Sequence, residues 1–88
     1  MSTLPVMLDW TAFTAKHGPV PRYRQLAEWI AGAVASGELA HGTALPSETQ
    51  LADYADVSVD TVRQALSVLR EQGVIVTSQG IGSFVAEN

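Results

Sequence analysis

Five polar side chains between residues 60 and 71, Asp60, Arg63, Gln64, Ser67 and Glu71, recur at a spacing that sets them along one side of an α-helix. Their chemistry is recognition by hydrogen bonding. A guanidinium, a carboxamide, a hydroxyl and two carboxylates offer donors and acceptors but no nucleophile beside a base. The rest of the chain adds none. His17 and His41 stand in turn-like segments without Cys, Asp or Glu at metal-ligand or triad spacing. Glu48 and Asp53 lie five apart on a helix and do not share a face. The chain has no cysteine, which removes disulfides, zinc fingers and thiol nucleophiles. No enzyme, metal or cofactor is expected.

What must position that polar side is a helix pinned from behind. Ser58 is its N-cap, and Val62, Ala65, Leu66 and Leu69 form an apolar stripe at i, i+3, i+4 and i+7. Upstream, Ser47 followed three residues later by Gln50 reads as a capping box. Leu51, Ala52 and Ala55 face one way along the short helix it opens, and Asp56-Val57 is the turn between the two helices. Two short helices, the second held by one face, is the layout of a DNA-reading helix-turn-helix. It is also the layout of an ordinary amphipathic surface helix.

The flanking stretches supply further elements. Asp9 can cap a short helix over Trp10 to Lys16, ahead of Gly18. Trp10 and Phe13, at i and i+3, then pack onto the body or onto another chain, with inward packing the expected outcome. Pro21 suits a first helical turn and Gly37 a stop. Between them Tyr23, Leu26, Ala27, Ile30 and Val34 make an apolar face with Trp29 at its border. Arg22 and Arg24 open that helix where the backbone dipole does not favour cations, which suits phosphate contacts as well as solvation. A short strand is expected at Thr43 to Leu45, before Pro46. Val74 to Thr77 and Ser83 to Ala86 are β-branched or apolar runs around a glycine-bearing turn, a β-hairpin. The expected fold is mainly α with a small β-hairpin wing, a winged helix-turn-helix. It has a three-helix core over residues 21–88 and an extension over residues 1–20 that adds a short helix.

Composition sets limits on function. The 88 residues fit one domain, 47% apolar and only 16% charged. The opening MSTLPVMLDW has no basic segment and meets Asp9 before any long apolar run, so neither a secretory signal nor a membrane span is expected. A cytoplasmic, nucleoid-associated location is the expectation. The net charge of −4, from five basic and nine acidic residues, runs against nucleic-acid binding, which draws much of its affinity from Lys and Arg on phosphates.

In this order of elements the sequence resembles the GntR family of bacterial transcription regulators, over roughly Tyr23 to Val85. The matching stretches are YRQLAEWI, GELAHGTALPSE, LA, VS, TVRQAL and the hairpin GIGSFV. The resemblance implies a recognition helix in the major groove and a hairpin tip at the minor groove. It assigns DNA contacts to Thr61 and Arg63, the wing tip to Gly80, and a phosphate-holding helix start to Ser47. Thr49, Ser58, Asp60, Gln64, Ser67, Gln79 and Gly82 complete the candidate interface. Three positions depart from the family pattern. Thr49 and Val59 stand where arginine is common, and Asp60 where a small polar residue is common. Asp60 can accept from cytosine N4 but repels phosphate, so weaker binding or an altered sequence preference is implied. Family members generally carry a further domain that binds a metabolite and drives dimerisation, and no effector pocket is expected within these residues.

The expected function is a DNA-binding regulator, read as a repressor, or its reading head, acting on double-stranded DNA as a homodimer on paired half-sites. The alternative is a winged-helix module that has lost most DNA contacts and meets a protein partner through Trp10 and Phe13.

Overall fold

The structure, a computed structural model, describes residues 8–78 and 80–87. Its elements follow the expected order: a 3₁₀ turn at Trp10–Ala12, helices α1 (Arg22–Ser36), α2 (Glu48–Ala55) and α3 (Val59–Glu71), then strands β1 (Ile75–Ser78) and β2 (Gly82–Val85). Three helices and a two-stranded antiparallel hairpin make a winged helix-turn-helix.

The helix ends are set by local chemistry. Ser47 caps α2 with a full capping box: its hydroxyl accepts from the Gln50 amide at 3.1 Å, and the Gln50 side chain accepts from the Ser47 amide at 3.1 Å. Replacing Ser47 by alanine is expected to cost about 1 kcal/mol of stability, read as a shift in the urea midpoint at constant slope. Asp56 ends α2 in the left-handed region (φ 56°), a conformation that its short polar side chain tolerates better than most. Ser58 then caps α3 by accepting from the Thr61 amide at 3.1 Å.

The core lies where α1 and α2 cross α3. Leu26 and Ile30 of α1, Leu51 of α2, Val62 and Leu69 of α3, and Ile75 and Val85 of the hairpin are almost fully buried. Each is worth about 1.5–3 kcal/mol of transfer free energy. All four residues of the expected α3 stripe are buried. On α1 the buried face is Leu26, Ala27, Ile30 and Ala33, with Tyr23 and Val34 half-buried at its edges. The small side chains at 27 and 33 let α1 come close to α3.

Three expectations need correction. The helix over Trp10 to Lys16 is a single 3₁₀ turn, capped as expected by Asp9, and the chain is extended again at Phe13 (ψ 135°). A seven-residue helix is marginal without tertiary support, and here packing pulls the ring of Phe13 into the core at 7% exposure. Phe13 and Trp10 meet Trp29 with ring centroids 5.6 and 5.9 Å apart. Both rings are therefore used inside the chain. Gln25 secures the following segment, accepting from the Lys16 amide and donating to the carbonyls of Lys16 and Val20 at 2.8–2.9 Å.

The strand expected at Thr43 to Leu45 is reduced to an isolated bridge, Ala44 to Phe84, although Leu45 donates to Ser83 and Val85 to Thr43. Pro46 has no amide to extend the ladder. The hairpin strands are each one residue off the expected runs. Val74 is still tied to α3, its amide donating to the Leu69 carbonyl at 2.9 Å. The register pairs Ile75 with Val85 and Ser78 with Gly82. Gly80 and Gly82 at the tip both have positive φ (78° and 131°), as a tight two-stranded turn demands.

Candidate nucleic-acid interface

The polar side of α3 faces solvent. Asp60, Arg63, Gln64 and Glu71 are exposed and Ser67 is half-buried. The early residues of the described chain pack elsewhere, with the 3₁₀ turn against α2 and Trp29.

Arg63 is the centre of the arrangement. Its Nε donates to Glu48 Oε1 at 3.0 Å, joining α3 to the first turn of α2, and its Nη1 lies 3.8 Å from Asp60 Oδ1. The hydrogen bond and the charge of Glu48, with a smaller contribution from Asp60, hold the guanidinium above its ordinary pKa, so it stays charged. With 61% of the Arg63 side chain exposed, the ion pair is weak. It presents the guanidinium without sequestering it.

The other expected residues do not all share one surface. Ser47, Gly80 and Gly82 border the same surface groove, between the start of α2, Leu66 of α3 and the hairpin, with Glu48 in its wall. Ser58 and Thr61 are occupied with each other, their hydroxyl oxygens 2.9 Å apart, and Thr61 is half-buried. Thr49 is exposed, and with Val59 it borders a second groove alongside Asp53 and Asp56. The two positions where the family pattern carries arginine thus adjoin one acidic depression. Arg22 and Arg24 are exposed at the start of α1; Arg22 borders a groove shared with Tyr54 and Asp56, next to the turn of the motif. Gln79 lies outside the described residues.

Two residues with a place here were not singled out from sequence. Glu48 shares no face with Asp53, and its partner, Arg63, is fifteen residues away in another helix. Arg70, in the last turn of α3, donates to Thr77 Oγ1 of β1 at 3.2 Å, and Thr77 Oγ1 is 3.1 Å from Ser83 Oγ. It places a second guanidinium between recognition helix and wing. The signal available was its spacing, seven residues beyond Arg63 and on the same side of the helix.

Among the described residues no group of three or more His, Cys, Asp or Glu is placed to hold a metal ion, and no helix is long and apolar enough to cross a membrane.

Residues 22–85 match the family model for bacterial regulatory proteins of the gntR family. The chain is 38% identical over 87 residues to the HTH-type transcriptional regulator Rv0792c of Mycobacterium tuberculosis, covering 99% of this chain and 32% of that protein. It is 47% identical over 70 residues to the mannosyl-D-glycerate transport/metabolism system repressor MngR of Escherichia coli, covering 80% and 29%. It thus spans about a third of the length of these relatives. Among solved structures it is similar to the DNA-binding domain of AraR in complex with operator ORX1, with TM-score 0.77 and 32% identity over 83% of this chain and 94% of that one. YtrA from Sulfolobus acidocaldarius, a GntR-family transcription factor, superposes with TM-score 0.76 and 35% identity, covering 82% and 76%.

Proposed function

Because the chain belongs to the gntR family of bacterial regulatory proteins, we propose that it is the DNA-reading head of a transcriptional regulator, acting as a repressor on duplex DNA in the cytoplasm. The observation that carries this reading is the open polar side of α3, with Arg63 held outward by Glu48 and the hairpin standing beside it. In this reading α3 enters the major groove and its first turns meet base edges. Arg63, Gln64 and Ser67 are the base or phosphate contacts, with Asp60 next to them. Arg70, Arg22 and Arg24 meet flanking phosphates. Gly80 and Gly82 let the wing backbone approach the minor groove. The amides opening α2 behind Ser47 face a phosphate. Thr49 adds a neutral contact there, while Ser58 and Thr61 chiefly build the start of the recognition helix. Residues 21–88 form the reading unit, and residues 8–20 brace it.

One head makes few contacts, so two copies on half-sites about 34 Å apart are needed for useful affinity. A duplex titration across salt concentrations tests the reading. Neutralising two to four phosphates per head gives a slope of log K on log salt of about −2 to −4. A flat response, or no binding at about 50 mM salt where phosphate contacts are strongest, overturns it.

A further inference from the structure

We propose that Asp60 and Arg63 act as one reader of a single G·C base pair, which makes Asp60 a specificity-determining residue; the proposal rests on the function proposed above. The two side chains stand one helical turn apart at the start of α3, the part of a recognition helix that meets base edges. They are 90% and 61% exposed, and Asp60 Oδ1 is 3.8 Å from Arg63 Nη1. That distance is too long for a closed hydrogen bond, so each group keeps its capacity for a third partner. Glu48 takes the Nε side of the guanidinium, and the terminal fork remains.

Across the major groove a G·C pair presents two adjacent acceptors, guanine N7 and O6, then a donor, cytosine N4. A guanidinium fork beside a carboxylate is the complement of that order. An A·T pair sets its amino donor between two acceptors, so no neighbouring pair of acceptors meets the fork, and a carboxylate facing either acceptor is repelled. The carboxylate therefore works in both directions. It accepts from cytosine where the pair is right, and where the pair is wrong it leaves a charge opposed by an oxygen or nitrogen lone pair.

The test is selection of bound duplexes from a random pool by the whole chain, its Asp60→Asn variant and its Asp60→Ala variant. The exposure of Asp60 lets both variants fold, which helical circular dichroism verifies. The parent is expected to enrich a motif with a fixed G·C pair, and swapping that pair for A·T lowers its affinity about 5- to 150-fold. A carboxamide at this position accepts from cytosine N4 and donates equally to thymine O4, so Asp60→Asn weakens the preference for G·C at that one position while Arg63 still meets the purine. Asp60→Ala relaxes it and leaves the others unchanged. The same motif from all three proteins overturns the pairing while leaving DNA binding in place. No motif from the parent overturns the proposed function and this inference with it.

Discussion

Replacing Arg63 by alanine is expected to lower duplex affinity about a hundredfold, within the range for losing one good bidentate contact. Two effects add in the same direction. The fork that meets guanine or phosphate disappears, and Glu48 and Asp60 lose the cation between them. Two carboxylates would then stand without their cation at a polyanion. Arg63→Lys separates the effects: it keeps the charge but not the planar fork, and its affinity should fall between those of parent and alanine variant. Glu48→Gln is the complementary change, keeping an acceptor for Nε while removing one negative charge, and should strengthen non-specific binding. Fluorescence anisotropy at fixed salt reads all three. An alanine variant within about twofold of the parent, below the least loss a good bidentate contact allows, would take Arg63 out of the interface.

The second large effect concerns stability. Phe13→Ala should cost about 3–5 kcal/mol, the usual range for deleting a buried phenyl ring. Phe13 belongs to the same buried cluster as Leu26 and Ile30 and abuts Trp29. Stability for 88 residues is of the order of 4–13 kcal/mol, so the loss is a large share of the whole. Urea unfolding followed by tryptophan fluorescence reports it, since Trp10 and Trp29 sit beside the deleted ring. A loss below about 1 kcal/mol, well under that range, would show that the segment before α1 is a loose appendage.

These two cases also mark what the amino-acid sequence discloses and what it withholds. The capping box of Ser47 and Gln50, the cap at Ser58 and the stripe from Val62 to Leu69 are interactions within one or two helical turns, so spacing reveals them. The polar side of α3 follows as the remainder of the same wheel. Phe13 is different: its burial depends on Trp29, sixteen residues on, and outweighs the local tendency to continue a helix. Arg63 with Glu48, and Arg70 with Thr77, join separate elements, and nothing periodic announces either pair. Thr61 shows the converse. The family pattern marks it for DNA, while the local fold ties its hydroxyl to Ser58.

Residues 74–88 contain no lysine or arginine, and the most prominent apolar side chain at the hairpin tip is Ile81, 73% exposed between two glycines. A wing of this kind has little to exchange with the counterion cloud. Pressed against deoxyribose, Ile81 would instead shed water from carbon surfaces, and its share of association would register as a negative heat-capacity change. Warming and cooling, more than ionic strength, would then govern how firmly that arm holds.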